Sequence, residues 1–239
     1  MASNPISRLV PATGRAKSLG RLLPDAGRLT DHEISADIFV AANPSGPATE
    51  AVRGLRGELM LRWFDADHRC LAVGGANRSS RASLVAANLA VAFAQLGKRT
   101  LLVDADLRRP RQHELFGLSH ATGLADLLVE RCVMTEAIVC IAALDLSVLG
   151  AGTIPLNPHE LLSSSQFGHV LQAARTHFEI VIVDSAPILE CAETQMVALH
   201  SEGYLLAARR HRTRLQDIEA ARTRLQPSRV TVVGAVISD

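Results

Sequence analysis

Hydrophobic positions along this chain alternate between two rhythms. Short runs rich in Val, Ile and Leu at 69–74, 100–106, 144–150, 178–184, 204–208 and 230–237 have the length and continuity of strands buried on both faces. Between them, 49–62, 84–96, 123–130, a segment opening at Pro158, and 214–225 place apolar residues at helical spacing. Gly97 supplies a C-cap for the second of these, and Pro158 suits a first helical turn. Strand, loop, helix and strand within 69–106 predict a right-handed βαβ unit. The whole alternation predicts an α/β fold, a doubly wound, mostly parallel sheet with helices on both faces.

The first 47 residues follow neither rhythm. They are rich in Pro, Gly, Ser and Arg, with a short helix, a glycine turn and a second helix start at Thr30-Asp-His-Glu33 expected within 16–34. Asn43-Pro-Ser-Gly-Pro47 breaks the chain. The expected organisation is an N-terminal arm over 1–47, partly flexible, and an α/β domain over 48–239. An apolar fraction of 48% and a mean hydropathy of +0.16 fit a globular chain with a real core.

Charge narrows the partners. A net charge of +1 points neither to nucleic acid nor to an anionic lipid surface. The basic stretch 209–214 lacks interleaved aromatics and reads as a surface face. Cys70, Cys132, Cys140 and Cys191 are too scattered for a zinc site and fit a reduced, cytosolic chain. With no signal-type segment and no run of 18 apolar residues, the chain is expected to be soluble, or to reach a membrane only through a partner.

Candidate chemistry gathers at strand ends. Thr100-Leu-Leu-Val-Asp-Ala-Asp-Leu-Arg-Arg-Pro110 ends an apolar run in two acids. Read as one strand, it turns Asp104 and Asp106 to the same side at the carboxyl edge, where open α/β sheets bind ligands. Two carboxylates beside a phosphate call for a cation, and Mg²⁺ is the usual one. The turn-forming loop 74–83 and Asp184, at the end of another strand, reach the same edge. Each feature alone is weak, since a strand-end Asp commonly caps a helix; together they specify a nucleotide-hydrolase or phosphotransfer site. Arg108, Arg109 and Arg111 form either a phosphate- or subunit-facing cluster or a solvated loop. Glu50, Arg53 and Arg56 share one helix side, as a solvated face with one ion pair worth ~0.3–0.5 kcal/mol or as an intersubunit clamp.

Five stretches together carry a family resemblance: Glu50-x-x-Arg53-x-x-Arg56, Val85-Ala-Ala-Asn-Leu-Ala-Val91, Leu102-Val-Asp-Ala-Asp-Leu-Arg-Arg-Pro110, Asn157-Pro-His-Glu-Leu-Leu162 and Ile180-Val-Ile-Val-Asp-Ser-Ala-Pro187. Over residues 49–239 the chain resembles the bacterial tyrosine kinases of polysaccharide biosynthesis. The resemblance implies a P-loop NTPase-like fold, ATP and Mg²⁺ as cofactors, and a homo-oligomeric ring made through Glu50, Arg53 and Arg56. It implies a membrane-embedded polysaccharide co-polymerase or chain-length regulator as partner, no nucleic-acid partner, and a cytoplasmic position at the inner membrane. Asp104 and Asp106 become acids near Mg²⁺ and the attacking hydroxyl, Asp184 becomes the Walker B acid, and Ser83, Asp106 and Asp184 hold the metal.

Departures from the family pattern are concentrated in the phosphate loop. Its Pro-Gly-Glu-Gly-Lys-Ser falls on Arg78, Ser79, Ser80, Arg81, Ala82 and Ser83, so the lysine position is Ala82 and the glycines are Ser79 and Arg81. Losing that ammonium should cost several kcal/mol, on the order of 10² to 10³ in rate. Arg81 or Arg78 offers a bulkier substitute charge, and the alternative is a disabled loop. The adenine-reading Asn becomes Ser238, and the chain stops at Asp239 without a tyrosine-rich tail; Tyr204, the sole tyrosine, sits in a predicted strand. Three functions follow: an ATP-dependent tyrosine-kinase-type regulator of exopolysaccharide or capsule chain length or export, a pseudokinase scaffold of the same system, and a partitioning or positioning ATPase with a deviant loop. The last needs an early loop lysine that Asn77 and Arg78 do not supply.

Overall fold

The structure is a computed structural model that describes residues 34–118, 122–228 and 230–239. The short helices expected within 16–33 lie outside the described residues. The elements run α1 (Phe39–Ala42), α2 (Pro47–Arg62), β1 (Cys70–Gly75), α3 (Ala82–Ala94), β2 (Thr100–Asp104), α4 (Gln112–Phe116), α5 (Leu124–Leu128), α6 (Met134–Ala137), β3 (Ile138–Ile141), β4 (Leu146–Leu149), α7 (Pro158–Ser163), α8 (Ser165–His177), β5 (Ile180–Asp184), α9 (Thr194–His200), β6 (Gly203–Arg209), α10 (Leu215–Leu225) and β7 (Thr231–Ser238).

Seven strands form one sheet in the order β3-β4-β2-β5-β1-β6-β7. Every pairing is parallel except β3 with β4, which is antiparallel at one edge. The fold is therefore the expected α/β, P-loop NTPase-like one. Alternate residues of the central strands feed two cores. Ala72, Leu101, Val103, Val181, Val183 and Tyr204 pack under α8 and α10, while Leu71, Val73, Leu102, Ile180 and Ile182 pack under α3. That double burial is why these strands read as continuous apolar runs. Helix α3 is buried along Ala86–Ala94 because the sheet covers one side and α2 the other, which explains its lack of a polar stripe.

Composition assigns 34–46 to an arm, but in the structure this segment packs onto the second core. Ile38 and Val40 are fully buried, and Asn88 of α3 fixes the segment. Its Oδ1 accepts the Val40 N–H at 3.1 Å, and its Nδ2 donates to Asp37 O and Leu84 O, both at 3.0 Å. Five apolar residues, Ile38 to Ala42, are too few to show a period. Strand β3 and helices α4, α6 and α9 likewise have no counterpart in the apolar pattern, and the helix opening at Pro158 is divided at Ser164 into α7 and α8. The strand expected over 100–106 ends at Asp104, so Asp106 lies in the following turn rather than on the strand.

Candidate functional site

The sheet order β2-β5-β1 brings three chain crossings to one carboxyl edge. Asp104 of β2 stands beside Asp184 of β5 in register, and β1 on the other flank of β5 runs out through Gly75 into the loop before α3. Both acids are fully buried and Asp106 nearly so. Asp104 Oδ2 accepts the backbone N–H groups of Arg111 and Gln112 at 3.0 and 2.9 Å, and its Oδ1 accepts that of Asp106 at 3.3 Å. Asp106 Oδ1 accepts the N–H groups of Arg108 and Arg109 at 3.3 and 3.0 Å. The Arg-Arg-Pro-Arg turn is thus wound around the two carboxylates.

Asp184 Oδ2 accepts Gln112 Nε2 at 2.7 Å, and its Oδ1 is buried with no hydrogen-bond partner. Burial raises the pKa of all three acids. For Asp184 the neighbouring Asp104 charge adds to the rise, while the Gln112 amide and Ser83 hydroxyl oppose it. Asp104 is raised by burial and by the Asp106 charge, against the pull of its backbone donors.

The loop retains a cradle without the expected glycines. A Cβ on Gly75 would fall 1.8 Å from Ser80 Oγ, so the chain needs glycine here to let the loop fold back. Arg78–Ser80 form a 3₁₀ turn, and Arg81 then adopts φ 57°, ψ 35° as the residue before α3. A side-chain-bearing residue in this left-handed region costs about 1–2 kcal/mol. The loop is pinned from outside: the Arg78 N–H donates to Glu190 at 3.1 Å, Ser79 Oγ to Asn77 Oδ1 at 2.6 Å, and Asn77 Nδ2 to Asp217 at 3.1 Å. The N–H groups of Ala82 and Ser83, which open the 13-residue α3, have no intrahelical acceptors and lie at the positive end of its dipole.

A cleft of about 270 Å³ lies between the loop and Asp106, lined by Gly75, Arg78, Ala82, Ser83, Asp106 and Arg109 among others, with Asp104 and Asp184 outside its lining. No cation occupies the Ala82 position, but guanidinium groups surround it. Arg78 pairs with Glu190 at 3.2 Å and with Asp106 at 3.7 Å. Arg81 and Arg109 form no ion pair among the described residues. Ser238 does not line this cleft. It lines a second, apolar cavity of about 320 Å³ between α2, α3 and β7, with Phe39, Val52, Leu84 and Val236. The two cavities share Arg81. The described residues contain no cluster of three acids, His or Cys able to hold a metal alone, so a cation here would need the Ser83 hydroxyl and ligand oxygens as well. The orphaned Asp184 Oδ1 fits such an arrangement.

No family model matches the chain. It is 30% identical over 203 residues to the tyrosine-protein kinase Wzc of Salmonella typhimurium, covering 85% of this chain and 28% of the relative. It is 28% identical over 201 residues to the putative tyrosine-protein kinase CapB of Staphylococcus aureus, covering 84% of this chain and 88% of that one. The kinase domain of the Escherichia coli tyrosine kinase ETK superposes with a TM-score of 0.83 at 28% identity, over 94% of this chain and 87% of that one. The chain belongs to the bacterial tyrosine-kinase family. It spans about 28% to 32% of the length of the first curated relatives.

Within this family member, the other predicted residues fall as follows. Glu50 and Arg53 pair with each other on an exposed face of α2, whereas Arg56 turns inward and donates from Nη1 to Ala92 O of α3 at 2.9 Å. Arg108 clamps the buried Glu193 through both Nε and Nη2. Tyr204 is fully buried with its hydroxyl 3.1 Å from Ser185 Oγ, and burial pushes its pKa up. All four cysteines are free. No helix among the described residues is long and apolar enough to cross a membrane. Sequence reasoning missed Gln112, Glu190 and Glu193. The only signal for the two acids was their position just after the Asp184 strand; Gln112 gave none.

Proposed function

We propose that this chain is a nucleotide-dependent, tyrosine-kinase-type regulator of exopolysaccharide or capsule biosynthesis, acting on chain length or export. The observation that carries the reading is the left-handed Arg81: the position at which the family pattern has a glycine holds a backbone that favours glycine, at an energetic cost, although the residue there is arginine. In this reading the phosphates of ATP lie in the cleft under Ser79–Ser83 and at the N-terminus of α3. The base extends into the apolar cavity beside Ser238, and Arg81 stands where the two meet.

Ser83, Asp106 and Asp184 would hold Mg²⁺, which when bound neutralises charge on the transferring phosphoryl group. Asp104 is the proton acceptor for an incoming tyrosyl hydroxyl. Its burial favours taking up a proton, and the N–H groups of Arg111 and Gln112 hold its carboxylate in place. Arg78, Arg81 and Arg109 supply the positive charge that Ala82 lacks. Glu50 and Arg53 make the contact between copies in a homo-oligomer, with Arg56 anchoring their helix. The partner is a membrane-embedded polysaccharide co-polymerase, which would hold the chain at the cytoplasmic side of the inner membrane.

A second reading, a pseudokinase scaffold of the same system, is favoured by Ala82 itself. Calorimetry of Mg·ADP and Mg·ATP binding on the unaltered chain and on Ala82→Lys separates the two. The nucleotide-dependent reading expects micromolar binding by the unaltered chain, improved about tenfold or more by the lysine. Binding seen only with Ala82→Lys would leave the scaffold.

A further inference from the structure

Gln112 belongs to no recognised motif, yet it touches three elements of the site. It is fully buried at the first position of α4. Its backbone N–H donates to Asp104 Oδ2 at 2.9 Å. Its Nε2 donates to Asp184 Oδ2 at 2.7 Å and to the backbone oxygen of Ser83 at 3.2 Å. One residue therefore joins the acid of β2, the acid of β5 and the helix end of the phosphate loop.

The chemistry of a carboxamide fixes its direction. Two acceptors, a carboxylate oxygen and a backbone carbonyl, lie on one side, so only the NH₂ end can face them. Its Oε1 is left buried without a partner, a local cost that the fold tolerates. Two consequences follow. Asp184 Oδ2 is committed, so Oδ1 becomes the oxygen that stays unpartnered. The Ser83 backbone is held to the same amide, which ties the Ser83 hydroxyl to the acids rather than leaving it to loop motion.

We propose that Gln112 is a positioning residue: a cross-brace that holds the phosphate loop in register with Asp104 and Asp184 and dictates which oxygen of Asp184 is offered to a cation. The brace itself is a property of the ligand-free protein; only its effect on a cation rests on the nucleotide reading above. Gln112→Met keeps the length of the side chain and removes every side-chain hydrogen bond. Amide hydrogen exchange of the ligand-free protein should show residues 78–85 exchanging about tenfold faster or more in the variant, with α8 and β6 unchanged. Unchanged exchange at 78–85, or acceleration spread evenly over the molecule, overturns the brace.

A second arm measures ADP affinity with Mg²⁺ and with EDTA, in the Ala82→Lys background, before and after Gln112→Met. The brace predicts loss of about tenfold or more of the Mg²⁺-dependent enhancement, with EDTA values within about threefold. Equal losses in both conditions overturn the cation-directing role. Failure of both the unaltered chain and Ala82→Lys to bind ADP would sink the nucleotide reading, while the exchange result would still decide the brace.

Discussion

A buried acid with an orphaned oxygen is a stored instability, and Asp184 is the clearest case in this chain. Its pKa is raised above the unfolded value of about 3.9, so the folded protein holds a proton that the unfolded chain releases. Folded-state stability therefore declines as pH rises from about 4 toward the folded pKa. Asp184→Asn removes this dependence and can still accept from Gln112. At pH 8 the variant should melt at least about 2–4 °C higher, the equivalent of about 1 kcal/mol, and the advantage should vanish near pH 4. A variant less stable than the parent at pH 8 would show that the carboxylate is held charged in the folded protein, and would overturn the raised pKa. Residues of this kind are only half legible in a sequence. Asp104 and Asp184 announce themselves as acids closing apolar runs, but a glutamine carries no mark of burial until the fold brings three elements around it. Arg81 is similar, because nothing in Arg-Ser-Ser-Arg-Ala-Ser says which residue turns left-handed.

Between elements, the linkage that matters most is the one between the segment 34–42 and α3. Asn88 sits in the middle of the helix that begins at the phosphate loop, and it spends all its hydrogen bonds on two neighbours: the segment before α2 and its own preceding turn. Asn88→Ala leaves the Val40 N–H buried and unpaired, which should cost about 2 kcal/mol and lower the melting point by roughly 4–8 °C. Limited proteolysis should then cut first within 34–46; if the earliest cuts fall elsewhere, the segment is held by Ile38 and Val40 alone. The strands around this helix were legible because burial on both faces leaves an unbroken apolar run. Strand β3 was not, since four residues at an antiparallel edge give too short a signal, and α9 carries only a single turn's worth of buried positions.

At the scale of the whole molecule, α2 presents one face to α3 and the other, with Glu50 and Arg53, to solvent. If that outer face joins copies, Glu50→Ala combined with Arg53→Ala should shift the sedimenting species toward the monomer while lowering the melting point by less than about 2–4 °C, because an exposed pair contributes less than about 1 kcal/mol within one chain. An unchanged sedimentation profile would return the pair to an ordinary solvated helix face. Fold class was readable from the alternation of runs; strand order was not, because parallel pairing is decided by contacts between residues far apart in the chain.

That strand order also sets a timetable. β1 and β2 belong to one βαβ unit near the start of the domain, yet they do not touch: β5 lies between them and is made about 80 residues after β2. A growing chain that has emerged only as far as β4 has its loop, its α3 and two of its acids, Asp104 and Asp106, but a slot where the middle strand belongs. The three acids, the brace and the loop come together only when residues 180–184 enter that slot. Non-local closure of this kind is slow relative to hairpins and helices. The site is thus among the last parts of the protein to exist, and an incomplete chain has no means of imitating it.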